Sequence, residues 1–244
     1  MVYYNSSKKE GISMIFFIGD EKVELSEQEL RDRYINHGEE GNVYQYKKEA
    51  VKFYSDKMIY KRRLQEEDVL KLSEINTKRI LLPRKPVYDK DKKYIGYTTE
   101  FKIEAPKERI GLLRMKDLVK ELELIKEDIR LLSNNLVKIQ DLNYGGLLMT
   151  QDGIYITDPG EYHFSEKSYP DSLYDYNIDE MNYYFTRVVF DRYLKLTNKE
   201  REKLKEIFPL LKDYFLEVIK RNEYKPEQKV NGYFKKLCLE RINK

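Results

Sequence analysis

The residues of this 244-residue chain best suited to chemistry begin with Asn36-His37-Gly38-Glu39-Glu40-Gly41-Asn42-Val43, followed nine positions after Val43 by Lys52 in Ala50-Val51-Lys52. Glycines in a turn between two strands let backbone N–H groups approach a phosphate closely. The same two glycines also suit a plain hairpin turn, and a single strand lysine is ordinarily solvated surface. Farther along, Glu66-Glu67-Asp68 reads as a solvated charge run, and Asp158 precedes Pro159-Gly160, where an acidic residue commonly caps a turn. Singly, none of these residues specifies a function. Their order along the chain carries the information, and it depends on the elements that hold them.

Composition narrows the classes. With 46 Lys+Arg against 43 Asp+Glu, a net charge of +3, the chain lacks the positive excess of an electrostatic nucleic-acid binder. The 22 tyrosines, with no tryptophan, fit half-buried faces where the ring packs and the hydroxyl reaches water. No Gly-aromatic RNA-binding signature accompanies them. One cysteine, Cys238, excludes an intrachain disulfide and a multi-cysteine zinc site, and His37 and His163 are too far apart in sequence to suggest a His-rich metal centre. There is no cationic-plus-apolar leader and no apolar run of about 18 residues, so the expectation is a soluble, cytoplasmic protein without a membrane span.

The elements follow from pattern. Ile15 to Ile18, the turn Gly19-Asp20 and Lys22 to Leu25 predict a hairpin. Ser26-Glu27-Gln28-Glu29 predicts a capping box with a short helix after it. Tyr34 to Tyr54 reads as strand, glycine-rich turn, strand, tight charged turn, strand. A helix is expected over 56–75, with Val69, Leu70 and Ser73 on its inward face, and then a second hairpin, Arg79 to Tyr88 with Tyr94 to Phe101. Leu118, Leu122, Ile125, Ile129, Leu132, Leu136 and Ile139 alternate four and three apart, the stripe of one long amphipathic helix. The runs Leu147-Leu148-Met149 and Ile154-Tyr155-Ile156 flank the turn Gln151-Asp152-Gly153. Later helices are expected over 179–194, after the capping box Thr197-Asn198-Lys199-Glu200, and over 226–242 with Pro226 in the first turn. Sheet first and helices later, with a break near residue 102, predicts an α+β protein of two lobes, 1–101 and 102–244.

Gly-x-x-Gly-x-Val followed by Ala-Val-Lys on the next strand resembles the nucleotide-binding lobe of the protein-kinase-like superfamily. The resemblance implies that Gly38, Gly41, Val43 and Ala50 line a nucleotide site, and that Lys52 contacts the α- and β-phosphates. It also implies that Lys52 pairs with a helix glutamate, Glu66 or alternatively Glu67. Tyr97-Thr98-Thr99-Glu100-Phe101 resembles the strand leading to the kinase hinge, which implies that backbone groups of Glu100, Phe101 and Lys102 bind the adenine edge. Ile139-Gln140-Asp141-Leu142-Asn143-Tyr144-Gly145-Gly146 resembles the catalytic loop, with Asp141 in the position of the catalytic base. Ile156-Thr157-Asp158-Pro159-Gly160 resembles the Asp-Phe-Gly motif, with Asp158 implied to hold Mg²⁺. The matches run from about Tyr34 to Leu194 in the family's order.

The implied architecture is a bilobal kinase-like fold, an antiparallel sheet plus one helix followed by a mainly helical lobe, with ATP·Mg²⁺ bound between the lobes. The implied activity is slow phosphoryl transfer to a Ser, Thr or Tyr hydroxyl of a protein substrate, with a small-molecule kinase as a variant. Asn36 replaces the first glycine of the loop, Ile139 stands where the family has histidine, and Gly146 stands where it has a metal-binding asparagine. No Ala-Pro-Glu follows Asp158, and Tyr169-Pro170-Asp171 is a faint echo of it. These departures make the resemblance one to a degenerate bacterial-type protein kinase or a pseudokinase. They suit a second expectation: a catalytically inactive pseudokinase that acts as a nucleotide-responsive or structural protein-binding module.

Overall fold

Alternating apolar residues build the first hairpin. Phe16 and Ile18 on β1 (Ser13–Ile18) and Val23 and Leu25 on β2 (Glu21–Ser26) are buried, while the residues between them are not. In the computed structural model the described residues are 13–38, 40–55, 64–105, 113–140, 142, 146–157, 161–188, 197–200, 202–203, 224–230, 232–233, 235–236 and 240. The capping box at Ser26 is complete, with Ser26 Oγ accepting the Glu29 N–H at 3.2 Å and Glu29 Oε2 accepting the Ser26 N–H at 2.9 Å. It starts α1 (Glu27–Asp32). Then come β3 (Tyr34–His37), β4 (Gly41–Tyr46), β5 (Glu49–Tyr54), α2 (Glu66–Ser73), β6 (Ile80–Leu81), β7 (Lys85–Asp89) and β8 (Tyr94–Glu100).

Seven of these strands form one antiparallel sheet in the order β2-β1-β7-β8-β5-β4-β3. The sheet is curled. Strands β1 and β5 are three spacings apart, roughly 14 Å in a flat sheet, yet the Phe16 and Phe53 rings meet edge to face with centroids 5.1 Å apart. The Tyr46 hydroxyl on β4 likewise donates to Glu21 on β2 at 2.9 Å. The inside of the curl is an apolar cluster of Phe16, Ile18, Val23, Leu25, Val51, Phe53 and Val87. Gly96 permits the closest approach of β8 to β5, since a Cβ there would lie 1.9 Å from the Lys52 carbonyl oxygen.

Helix α2 departs from expectation in two ways. Residues 56–63 lie outside the described residues, and the helix starts only at Glu66, after an extended Gln65. Its buried side chains are Val69 and Leu72, three apart on one face, which turns Leu70 outward to 49% exposure and leaves Ser73 exposed as well.

The long stripe forms α3 (Met115–Asn134), which buries Met115, Leu118, Leu122, Ile125, Ile129 and Leu132. It does not continue to Ile139. Asn135 leaves the helical conformation while its side-chain amide donates to the Leu131 carbonyl at 2.9 Å, and Leu136 takes φ +58°. That is the left-handed stop of a helix C-terminus. Val137 and Ile139 then point inward at period two on β9 (Val137–Gln140). The chain continues through β10 (Leu147–Met149), β11 (Ile154–Thr157), β12 (Glu161–Phe164) and α4 (Pro170–Val188). β9 pairs with β12, and β10 with β11. The segment expected to open the second hairpin joins this region instead: β6 flanks β11, and the Ile156 N–H donates to the Arg79 carbonyl at 2.8 Å. Helix α4 begins at Pro170 and not Asp179, because proline at a first helical position has no N–H to leave unpaired. The capping box at Thr197 is present, with Glu200 Oε2 accepting the Thr197 N–H at 2.7 Å. Pro226 lies in a turn that bridges Lys229 to Arg114, and the described helical residues there start at Val230.

The architecture is therefore α+β, with the curled antiparallel sheet first and the helical region later. Contacts divide the chain into two compact units, Met1–Asn76 with Leu81–Phe101, and Thr77–Ile80 with Lys102–Lys244. Among the described residues no helix is long and apolar enough to cross a membrane.

Candidate functional site

In the first unit, strand register assembles part of the expected site. Val43 and Tyr97 lie directly across from Lys52, and Gln45 and Thr99 across from Ala50. Residues opposed across a ladder share a face, so Val43, Ala50 and Lys52 lie together, on the face opposite Val51 and Phe53 of the apolar cluster. Lys52 is only 7% exposed. Its amine is ion-paired with Glu40 and lies 5.7 Å from the centroid of the Tyr97 ring. The carboxylate and the negative face of the ring offset the hydration that the buried ammonium has lost.

The two glycines separate in role. At Gly41 a Cβ would lie 1.9 Å from the Phe53 carbonyl oxygen, so the pairing of β4 with β5 itself demands glycine. At Gly38 a Cβ would meet nothing within 4 Å, and the Gly38 N–H donates to the Gly41 carbonyl at 2.9 Å. Packing among the described residues therefore gives no reason for glycine at 38.

Glu66 occupies the first position of α2 and accepts a 2.6 Å hydrogen bond from the Tyr88 hydroxyl. Burial first, and this bond second, push the Tyr88 hydroxyl up to about 12, so it remains the donor at neutral pH. Glu67 is exposed. One carboxylate against Lys52 is that of Glu40, which lies within the glycine turn and which sequence reasoning did not single out. Its only signal was position, an acidic residue between the two glycines and one hairpin away from Lys52. Toward the expected hinge, the Glu100 carboxylate takes a 2.6 Å bond from Arg84, and the Phe101 N–H donates to the Lys48 carbonyl at 3.0 Å. The Phe101 amide is thus already engaged.

In the second unit, the Lys102 amine lies 3.5 Å from Asp152 and 4.3 Å from the centroid of the Tyr155 ring. A hydrogen bond from Thr150, followed by one from Tyr155, holds the Asp152 carboxyl down at about 2. Asp141 and Asp158 lie outside the described residues, but the strands ahead of them do not: β9 ends at Gln140 and β11 at Thr157. β9 is pinned by the buried Asn177 of α4, whose Oδ1 accepts the Ile139 N–H at 2.9 Å while its amide donates to Val137 O and Ser133 Oγ. β6 and β11 are tied to α3 by two buried carboxylates. Asp128 accepts the N–H groups of Lys78, Arg79 and Ile80, and Glu121 pairs with Arg79 at 2.6 Å and accepts the Ile154 N–H at 2.9 Å. Sequence reasoning missed Asp128, Glu121 and Asn177.

A cavity of about 440 Å³ opens in the second unit, lined in part by Leu113, Lys120, Glu121, Met149, Asp152 and Ile154, and by none of the expected site residues. Among the described residues no three His, Cys, Asp or Glu side chains are grouped to hold a metal ion. No protein-family model matches the chain, and a search of curated proteins finds no match either.

Proposed function

We propose that the chain is a kinase-like nucleotide-binding protein of bilobal fold, with ATP as the nucleotide and a protein as substrate or partner. One observation carries the reading: a buried lysine on the interior strand β5, with the strand from the glycine turn on one side and the strand running into Glu100 on the other. That flank order is the one the kinase resemblance calls for, and the ion pair with Glu40 marks the Lys52 amine as a group that receives anionic oxygen. In this reading Lys52 holds the α- and β-phosphates, and Val43 and Ala50 cover the base from the same sheet face. Asp158 offers carboxylate oxygen to Mg²⁺, a hard cation suited to it, which when bound neutralises charge on the phosphates. Asp141 accepts the proton of the substrate hydroxyl as that oxygen bonds to the γ-phosphorus and the bond to ADP breaks.

A second reading, nucleotide binding without transfer, is favoured by Gly146 at the metal-ligand position and by the start of α4 at Pro170. Only 11 residues (159–169) separate Asp158 from that helix, little chain for a platform that docks a protein substrate. Incubation with γ-labelled ATP and Mg²⁺ or Mn²⁺ distinguishes the two. Label on the chain or on a generic protein, lost in Asp141→Asn, supports transfer. Retention of ATP without transfer supports the module, and neither retention nor transfer contradicts both.

A further inference from the structure

The glycine turn carries a carboxylate where a phosphate-binding turn needs no negative charge. Glu40 is held by its own backbone, its carbonyl accepting the Ser55 N–H at 2.7 Å, and the Gly38–Gly41 hydrogen bond at 2.9 Å closes the turn around it. From there its side chain reaches Lys52 on β5 and pairs with the amine. The two partners are unequal in burial: the Lys52 side chain is 9% exposed and that of Glu40 34%. The lysine is therefore fixed in the protein, while the carboxylate sits at the rim with a path to water.

We infer that Glu40 is a built-in competitor for the phosphates of the nucleotide, an anionic plug that must swing out before Lys52 can take a phosphate oxygen. The inference rests on the nucleotide reading above and concerns regulation of that same site. A carboxylate and a phosphate present the same chemistry to an ammonium: anionic oxygens at hydrogen-bond distance. The resemblance lets one amine hold a helix glutamate and phosphates together, but Glu40 projects from the turn that the nucleotide reading lays over the phosphates. Its carboxylate and a phosphate therefore compete for the same side of the amine and repel each other. Affinity for the triphosphate is then reduced by the fraction of molecules in which Glu40 is withdrawn. A ligand without phosphates does not feel the plug. Any event that draws Glu40 away from the amine, such as a cationic partner surface at the turn, would open the site.

The test is Glu40→Gln in the full chain, which keeps size and hydrogen bonding and removes the charge, with Glu40→Ser as a second variant should the first fail to fold. Dissociation constants are measured calorimetrically for ATP, tripolyphosphate and adenosine, with and without Mg²⁺. The expected result is about tenfold or greater tightening for ATP and tripolyphosphate, equivalent to about 1.4 kcal/mol or more. The gain should be larger without Mg²⁺, which otherwise screens the repulsion, and adenosine should bind unchanged. If wild type binds ATP and the variants bind it equally or more weakly, the plug is overturned while the nucleotide reading stands; weaker binding would make Glu40 a ligand to the metal–nucleotide complex. Equal tightening for adenosine also overturns the plug, since it would indicate loosening of the turn. Absence of binding by wild type and variants to all three ligands at millimolar concentration overturns the nucleotide reading and this inference with it.

Discussion

Single side chains tie distant segments of the second unit together, and Asp128 is the clearest case. It is 2% exposed and accepts three backbone N–H groups from Lys78, Arg79 and Ile80. Asp128→Ala would leave those donors buried and unpaired, at about 1–3 kcal/mol for each one that water cannot reach. The expected loss of stability is about 3–5 kcal/mol. Asp128→Asn, which keeps one acceptor oxygen and the side-chain shape, should cost about 1–2 kcal/mol. Urea unfolding midpoints check both, and a loss below about 1 kcal/mol for alanine would contradict the assignment. Sequence could not supply this residue. Asp128 and Glu121 stand beside Ile129 and Leu122 in the apolar stripe, where charge ordinarily means the edge of a solvated face. Their partners lie some 40 to 50 residues earlier and, for Glu121, also 33 residues later at Ile154, and period alone does not reveal a partner.

Among elements, the β4–β5 hairpin gives the sharpest contrast. Gly41→Ala drives a methyl into the Phe53 carbonyl, so the strands must part or shift, and the expected cost is about 2 kcal/mol or more. Gly38→Ala meets open space and should change stability by less than about 1 kcal/mol. Thermal or urea unfolding of the two variants separates them, and equal costs would mean the turn is not paired as described. The β1–β2 hairpin, both capping boxes and the strand–turn–strand run to Tyr54 were legible because each is specified by residues within one turn of each other. The end of α3 was not. Leu136 and Ile139 continue the four-three spacing, but Ile139 is apolar for a different reason, inward alternation with Val137 on a strand that pairs with β12. Ile80 misled in the same way, because a buried strand two residues long looks alike whichever sheet it joins. Leu70 misled α2 through a helix start that lacks a side-chain cap.

At the scale of the whole molecule, the α+β order of the chain was legible from composition and period. Within the expected site, the shared face of Val43, Ala50 and Lys52 followed once the strands were placed, and the Glu40 contact did not, because it is made by a turn side chain folding back over its own hairpin. The central claim, that Lys52 is buried in order to hold the phosphates of ATP, is tested most directly by nucleotide-dependent thermal stability of the full chain. A ligand at a hundred times its dissociation constant stabilises the folded state by about 2.7 kcal/mol. In a chain of this length that corresponds to a rise in Tm of about 5–10 °C. The account predicts such a rise with ATP and Mg²⁺ in the wild-type protein and its loss in Lys52→Ala. An unchanged Tm with every nucleotide at millimolar concentration, or an equal rise in Lys52→Ala, would contradict it.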